Sequence, residues 1–147
     1  IIENCWKYGF VQRYTQDKVS LTRVEQMANH FRYVGVPHAE IMHLNGLCLE
    51  EYLDFVKQYT FEKPYSFESS DGNCYAIYYT EMSSEKNTNC PIPLNDSDEE
   101  YEYEISGDNM SGYIICVKLI SAEESSEQNT DDASSVSDID SSDSQTE

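Results

Sequence analysis

Apolar and polar residues alternate, recur or thin out along this chain in a way that divides it into three stretches. From Phe10 to Tyr14 they alternate as in a strand, after Gly9, which sits where a helix would end on a left-handed residue. Residues 1–8 read as the tail of a helix, Thr15 to Lys18 as a turn, and Val19 to Met27 as a loop or short strand. Phe31 to Val34 carries a second clear strand signal, closed by Gly35. Pro37 then suits the first turn of a helix, where its missing N–H costs nothing. That helix should run to Asn45, with Ile41 and Leu44 on one face and Gly46 as its stop. Cys48 stands at the next cap position with Glu51 three residues on, in the manner of a capping box. Leu49, Tyr52, Leu53 and Val56 follow at i, i+3, i+4 and i+7, which predicts an amphipathic helix ending near Tyr59.

Past Phe61 the period changes to two. Tyr65 to Phe67 and Cys74 to Tyr79 read as strands around an Asp71-Gly72 turn, with a polar loop over 81–100. Tyr101 to Ile105 and Tyr113 to Leu119 read as strands around a Gly107-Asp108-Asn109 turn. Residues 121–147 are Ser, Asp, Glu, Gln and Thr with almost no large apolar side chain. Such a stretch cannot bury enough surface to offset its ordering entropy and is expected to be disordered.

The expected organisation is therefore an α+β unit over residues 1–61, a small all-β module over 62–120, and an acidic tail over 121–147. In the first unit helices would flank a partial antiparallel sheet. The chain opens as if mid-helix and without Met, which predicts a fragment; an unpartnered half-sheet over 1–61 would then be marginally stable.

Charge sharpens this division. The net charge of −19 is uneven: residues 1–61 carry six Lys/Arg against seven Asp/Glu, 62–120 three against twelve, and 121–147 none against nine. So acidic a chain repels phosphate backbones, which argues against nucleic acid as a partner. No run of about 18 apolar residues encodes a membrane span. The cysteines, Cys5, Cys48, Cys74, Cys90 and Cys116, form no C-x-x-C pair. Cys48 and Cys116 sit in apolar patterns as buried hydrophobes, whereas Cys74 and Cys90 are free to pair or not. The β module holds no histidine and reads as an accessory or interaction element.

Three histidines remain as candidate chemistry. His38 and His43 are five residues apart, not the four that would put two zinc ligands on one helical face, and read as structural or surface residues. His30 stands at the edge of a strand after a loop, where a ligand can enter a cleft.

Its neighbourhood carries a resemblance. Tyr8-Gly9-Phe10-Val11-Gln12-Arg13-Tyr14, then His30-Phe31-Arg32-Tyr33-Val34-Gly35, then Pro37-His38-Ala39, then Leu47-Cys48-Leu49-Glu50-Glu51-Tyr52-Leu53 resemble, in order, the C-terminal half of the VanY-type D-alanyl-D-alanine carboxypeptidases. That resemblance covers residues 1–59. It implies an α+β fold and zinc-dependent trimming of peptidoglycan stem peptides ending in D-Ala-D-Ala, in the bacterial cell envelope or outside the cell. In that family a His and an Asp of an upstream S-x-H-x-x-G-x-A-x-D motif and the His of an E-P-W-H motif hold zinc, and the Glu of E-P-W-H is the general base. Three protein ligands leave the metal a position for water, whose pKa it lowers.

Matched residue by residue, His30 takes the place of the downstream zinc ligand. The base falls at Met27, the proline at Ala28 and the tryptophan at Asn29, and the upstream motif has no counterpart in the chain. Glu25 is the nearest carboxylate; on an extended backbone it would share a side with Met27 and serve as base. Three readings stay open: a fragment of a zinc D,D-carboxypeptidase, a catalytically inactive relative that binds cell-wall peptide, and an interaction protein of the bacterial surface.

Overall fold

The computed structural model describes residues 2–85 and 87–119. The expectation of disorder over 121–147 lies outside them. Within them the chain is α+β, with a two-stranded and a four-stranded antiparallel sheet and helices between.

A 3-10 helix, Ile2–Tyr8, leads through Gly9 into β1, Phe10–Tyr14, which pairs antiparallel with β2, Met27–Tyr33. Gly9 takes φ +78°, and a Cβ there would lie 2.6 Å from the Tyr33 ring. The position therefore demands glycine for its conformation and for the space it leaves β2. Residues 19–27 form neither a loop nor a strand throughout. Val19–Thr22 is a single helical turn, α1, closed by Arg23 in the left-handed region. Strand β2 also starts four residues before the predicted Phe31, because Met27 pairs with Tyr14 of β1 beyond the weak strand formers Ala28 and Asn29.

Helix α2, Val36–Asn45, places proline in its first turn and stops at Gly46, φ +61°. Its buried face runs from Pro37 to Met42; Leu44, expected beside Ile41, is 64% exposed. Helix α3, Leu49–Val56, begins at Cys48, whose backbone N–H donates to the Glu51 carboxylate at 2.9 Å. It ends three residues before the predicted Tyr59, yet its apolar stripe falls as expected, with Tyr52 and Val56 fully buried.

Strands β3 (Tyr65–Glu68), β4 (Cys74–Glu81), β5 (Glu102–Gly107) and β6 (Gly112–Leu119) form an antiparallel sheet in the order β3-β4-β6-β5. Side chains alternate between its faces. One face, with Ile77, Tyr79, Ile114 and Cys116, packs in one cluster with Ala39, Ile41, Met42, Tyr52 and Val56 of the helices and Val11 of β1. The other, with Ala76, Tyr78, Ile115 and Val117, is covered by Tyr59 and by Cys90, Ile92 and Tyr101 of the long loop. Residues on either side of position 61 thus share a core. A buried polar contact reinforces it: Glu40 of α2 accepts from Ser69 Oγ at 2.5 Å and from the Ser70 N–H at 3.0 Å. Strand β5 ends the sheet, and every residue along it is exposed.

Candidate functional site

The site begins with an irregularity in the smaller sheet. Gln12 pairs with Phe31 and Tyr14 with Met27, so Ala28, Asn29 and His30 together face the single residue Arg13. A bulge of this kind bends its strand and re-aims the side chains on it. His30 is therefore not at a strand's edge after a loop but fourth of the seven residues of β2, inside the bulge. Its side chain is exposed, with the Tyr14 ring set edge-on against it at 4.8 Å.

The partner strand is braced from below. Arg13 grips Glu50 of α3 with two hydrogen bonds, 2.9 and 2.6 Å long. Burial pushes the Glu50 carboxyl up, but the Arg13 guanidinium outweighs it and holds the group below its ordinary value. Lys18 reaches Glu51 at 2.7 Å, and that same carboxylate caps α3. The Lys18 pair holds the Glu51 carboxyl down as well. Two ion pairs thus anchor β1 and the turn after it to the start of α3, and β1 in turn carries β2.

Glu25 is exposed and lies between Thr22, where α1 ends, and Met27, where β2 begins. Met27, at the position matched to the base, is 47% exposed.

The other histidines are engaged elsewhere. His43 is exposed and stacks on Trp6, with ring centroids 4.7 Å apart. His38 is buried, its Nδ1 2.5 Å from the Tyr52 hydroxyl. Burial alone lowers its pKa to about 4, so the ring is neutral at ordinary pH. The His38–Tyr52 pair joins residues fourteen apart, and the sequence signals it by no more than a histidine directly after a helix-initiating proline.

Zinc needs a convergence of ligands. Among the described residues no three His, Cys, Asp or Glu side chains come close enough together to hold a metal ion. No such group forms around His30, so the described residues by themselves do not fit a catalytic zinc. All five thiols are free, Cys74 and Cys90 included, and Cys48 and Cys116 are buried as expected.

No protein-family model matches the chain. Individual proteins do. A D-alanyl-D-alanine carboxypeptidase of Enterococcus faecium is 44% identical over 117 residues, which is 80% of this chain and 35% of that protein. The bifunctional D-Ala-D-Ala dipeptidase and carboxypeptidase VanXYC of Enterococcus gallinarum is 39% identical over 57 residues, 39% of this chain and 30% of that protein. Among solved structures, the vancomycin-resistance D,D-dipeptidase VanXYg, in complex with a D-Ala-D-Ala phosphinate analog, superposes with a TM-score of 0.73 at 37% identity. The match covers 80% of this chain and 45% of VanXYg. The chain thus spans about a third to a half of the proteins it matches here.

Proposed function

We propose a function from one premise, that this chain is a relative of the VanY-type D-alanyl-D-alanine carboxypeptidases. On that premise it is the part of a D-Ala-D-Ala peptidase that presents His30, and its substrate class is the peptidoglycan stem peptide ending in D-Ala-D-Ala. An extracytoplasmic site of action goes with that substrate. The observation that carries the reading is the exposed His30 on the bulge of β2, at the position matched to a zinc ligand.

No hydrolytic step is assigned to the described residues, because they do not assemble a metal site. Hydrolysis in this family class would need further zinc ligands from outside residues 2–119, with the base supplied from there or by Glu25. The test is zinc uptake by the 147-residue chain, measured as metal per protein after dialysis, together with D-alanine release from a D-Ala-D-Ala-terminated peptide. Neither stoichiometric zinc nor release is expected from this chain alone. Joined to an upstream segment bearing S-x-H-x-x-G-x-A-x-D, it should take up one zinc, lost on His30→Ala. Zinc uptake indifferent to that substitution would refute His30 as ligand.

A second reading, a relative that binds the peptide without cutting it, is favoured by Met27, whose thioether cannot accept a proton from water. It predicts zinc uptake by the joined protein with no D-alanine release. Glu25→Gln decides whether Glu25 has any part: release that survives the change removes it as the base.

A further inference from the structure

A cavity of about 100 Å³ lies between β2, α2, α3 and the β5–β6 turn. It far exceeds the ~10–15 Å³ that one water needs, so it has room for a small organic molecule. Leu49, Leu53 and Ile114 give it an apolar wall. Arg32, Ser106 and Asn109, all exposed, also line it.

Three features make this a built site rather than a packing gap. Arg32 pairs in register with Val11, so its side chain leaves the strand on the same side of the sheet as that buried residue, while itself remaining exposed. Among the described residues its guanidinium makes no ion pair or hydrogen bond, in a chain of net charge −19. His38, 7% exposed, also lines the cavity. Its Nδ1 is taken by Tyr52, while Nε2 makes no hydrogen bond to another described residue. In the tautomer that accepts from the Tyr52 hydroxyl at Nδ1, the neutral ring carries its proton on Nε2, which is then a donor.

The one acid in the lining does not oppose an anion. The Asp108 carboxylate accepts from the N–H groups of Met110, Ser111 and Gly112 and from the hydroxyls of Tyr79 and Ser111. Lys57 stands 3.5 Å away. Its charge is spent on these partners.

We propose that this cavity binds a short aliphatic carboxylate. Arg32 is the anion anchor, the His38 imidazole a second donor, and Leu53 and Ile114 the wall for a methyl-sized side chain. D-alanine, free or at a peptide's end, is the member of this class we assign; that choice rests on the function proposed above, whereas the carboxylate site does not.

The test is a ¹⁵N NMR titration of the 147-residue chain with D-alanine, propionate, N-acetyl-D-alanyl-D-alanine and D-alanine methyl ester. The three acids should shift the amides of Ser106 to Asn109 saturably, and the ester should not. Arg32→Gln should weaken binding by roughly tenfold or more, as expected for one lost charge-assisted pair, with Arg32→Lys between. Ser106→Leu narrows the cavity without touching Arg32 and should abolish binding, so the test stands even if Arg32→Gln fails to fold. Equal binding of the ester, or saturable binding indifferent to Arg32→Gln and Ser106→Leu, would overturn the site, as would no shift at all. Tighter binding of the dipeptide than of D-alanine assigns the peptide end, and the reverse assigns the free amino acid. Propionate binding without preference for either alanine ligand keeps the carboxylate site and counts against the stem-peptide reading. Zinc uptake has no bearing on these outcomes.

Discussion

Ser69 donates its hydroxyl to the buried carboxylate of Glu40 across 2.5 Å, and in doing so ties the turn after β3 to helix α2. The Ser70 N–H shares the same acceptor. Glu40→Ala would leave two donors near the core without their partner. We expect a loss of about 1–3 kcal/mol, read from urea unfolding monitored by tyrosine fluorescence. Ser69→Ala, which removes one donor and spares the Ser70 contact, should cost less.

Residues 1–61 alone should aggregate or unfold without cooperativity. Tyr52, Val56 and Ile41 would lose the sheet face of Ile77, Tyr79, Ile114 and Cys116 that covers them. Calorimetry on that fragment, beside residues 1–119, checks this. A sharp transition from the short fragment would contradict the shared core.

Acid should destabilise the fold through His38. Its pKa lies near 6.5 in an unfolded chain and falls to about 4 when buried, so the folded state binds fewer protons. Its contribution is complete above pH 6.5 and is lost as the pH drops towards 4, to a total on the order of 3 kcal/mol. His38→Asn should flatten the stability profile in that window relative to the natural chain. Tyr52→Phe should cost about 1–2 kcal/mol at neutral pH by removing the partner of Nδ1.

Thiol reactivity should split the cysteines. Burial pushes the Cys116 thiol up to about 12 and raises that of Cys48. A disulfide-exchange reagent at pH 8 should modify Cys5, Cys74 and Cys90 in the native protein, all half-buried, and reach Cys48 and Cys116 only on denaturation. If only Cys5 reacts and reductant restores the other two, Cys74 and Cys90 have paired.

Asp108 organises the β5–β6 turn. Burial raises its carboxyl, but the N–H groups of Gly112, Met110 and Ser111 and the Tyr79 hydroxyl outweigh this and hold it well below the usual carboxylate range. Asp108→Asn should cost about 2–3 kcal/mol by melting temperature, since the amide puts a donor where donors already converge. The stabilisation is present above the ordinary carboxylate pKa and is lost only as acid protonates the folded carboxyl.

Local pattern carried much of the fold because several elements state themselves within a few residues. Gly9 and Gly46 both take positive φ, and Cys48 to Val56 bears both its cap and its stripe. Elements that depend on a partner were harder to read. The turn Val19–Thr22 is too short for periodicity to detect, and the start of β2 rests on β1. The shared core was not legible, since it joins Val11 to Cys116 across most of the chain. Of the candidate site, the bulge that carries His30 was not readable, because it is a property of the β1–β2 pairing. The Arg32 cavity needs side chains from four elements brought together, which no linear spacing records.

Strand β5 is one of the two edges of the larger sheet, and Glu102 and Glu104 stand along it. An exposed rim of unpaired backbone invites another molecule's strand to zip on, and like charges at the seam discourage it. Replacing both acids with glutamine would remove that guard, and the protein would then be expected to polymerise into ribbons while each copy kept its native interior.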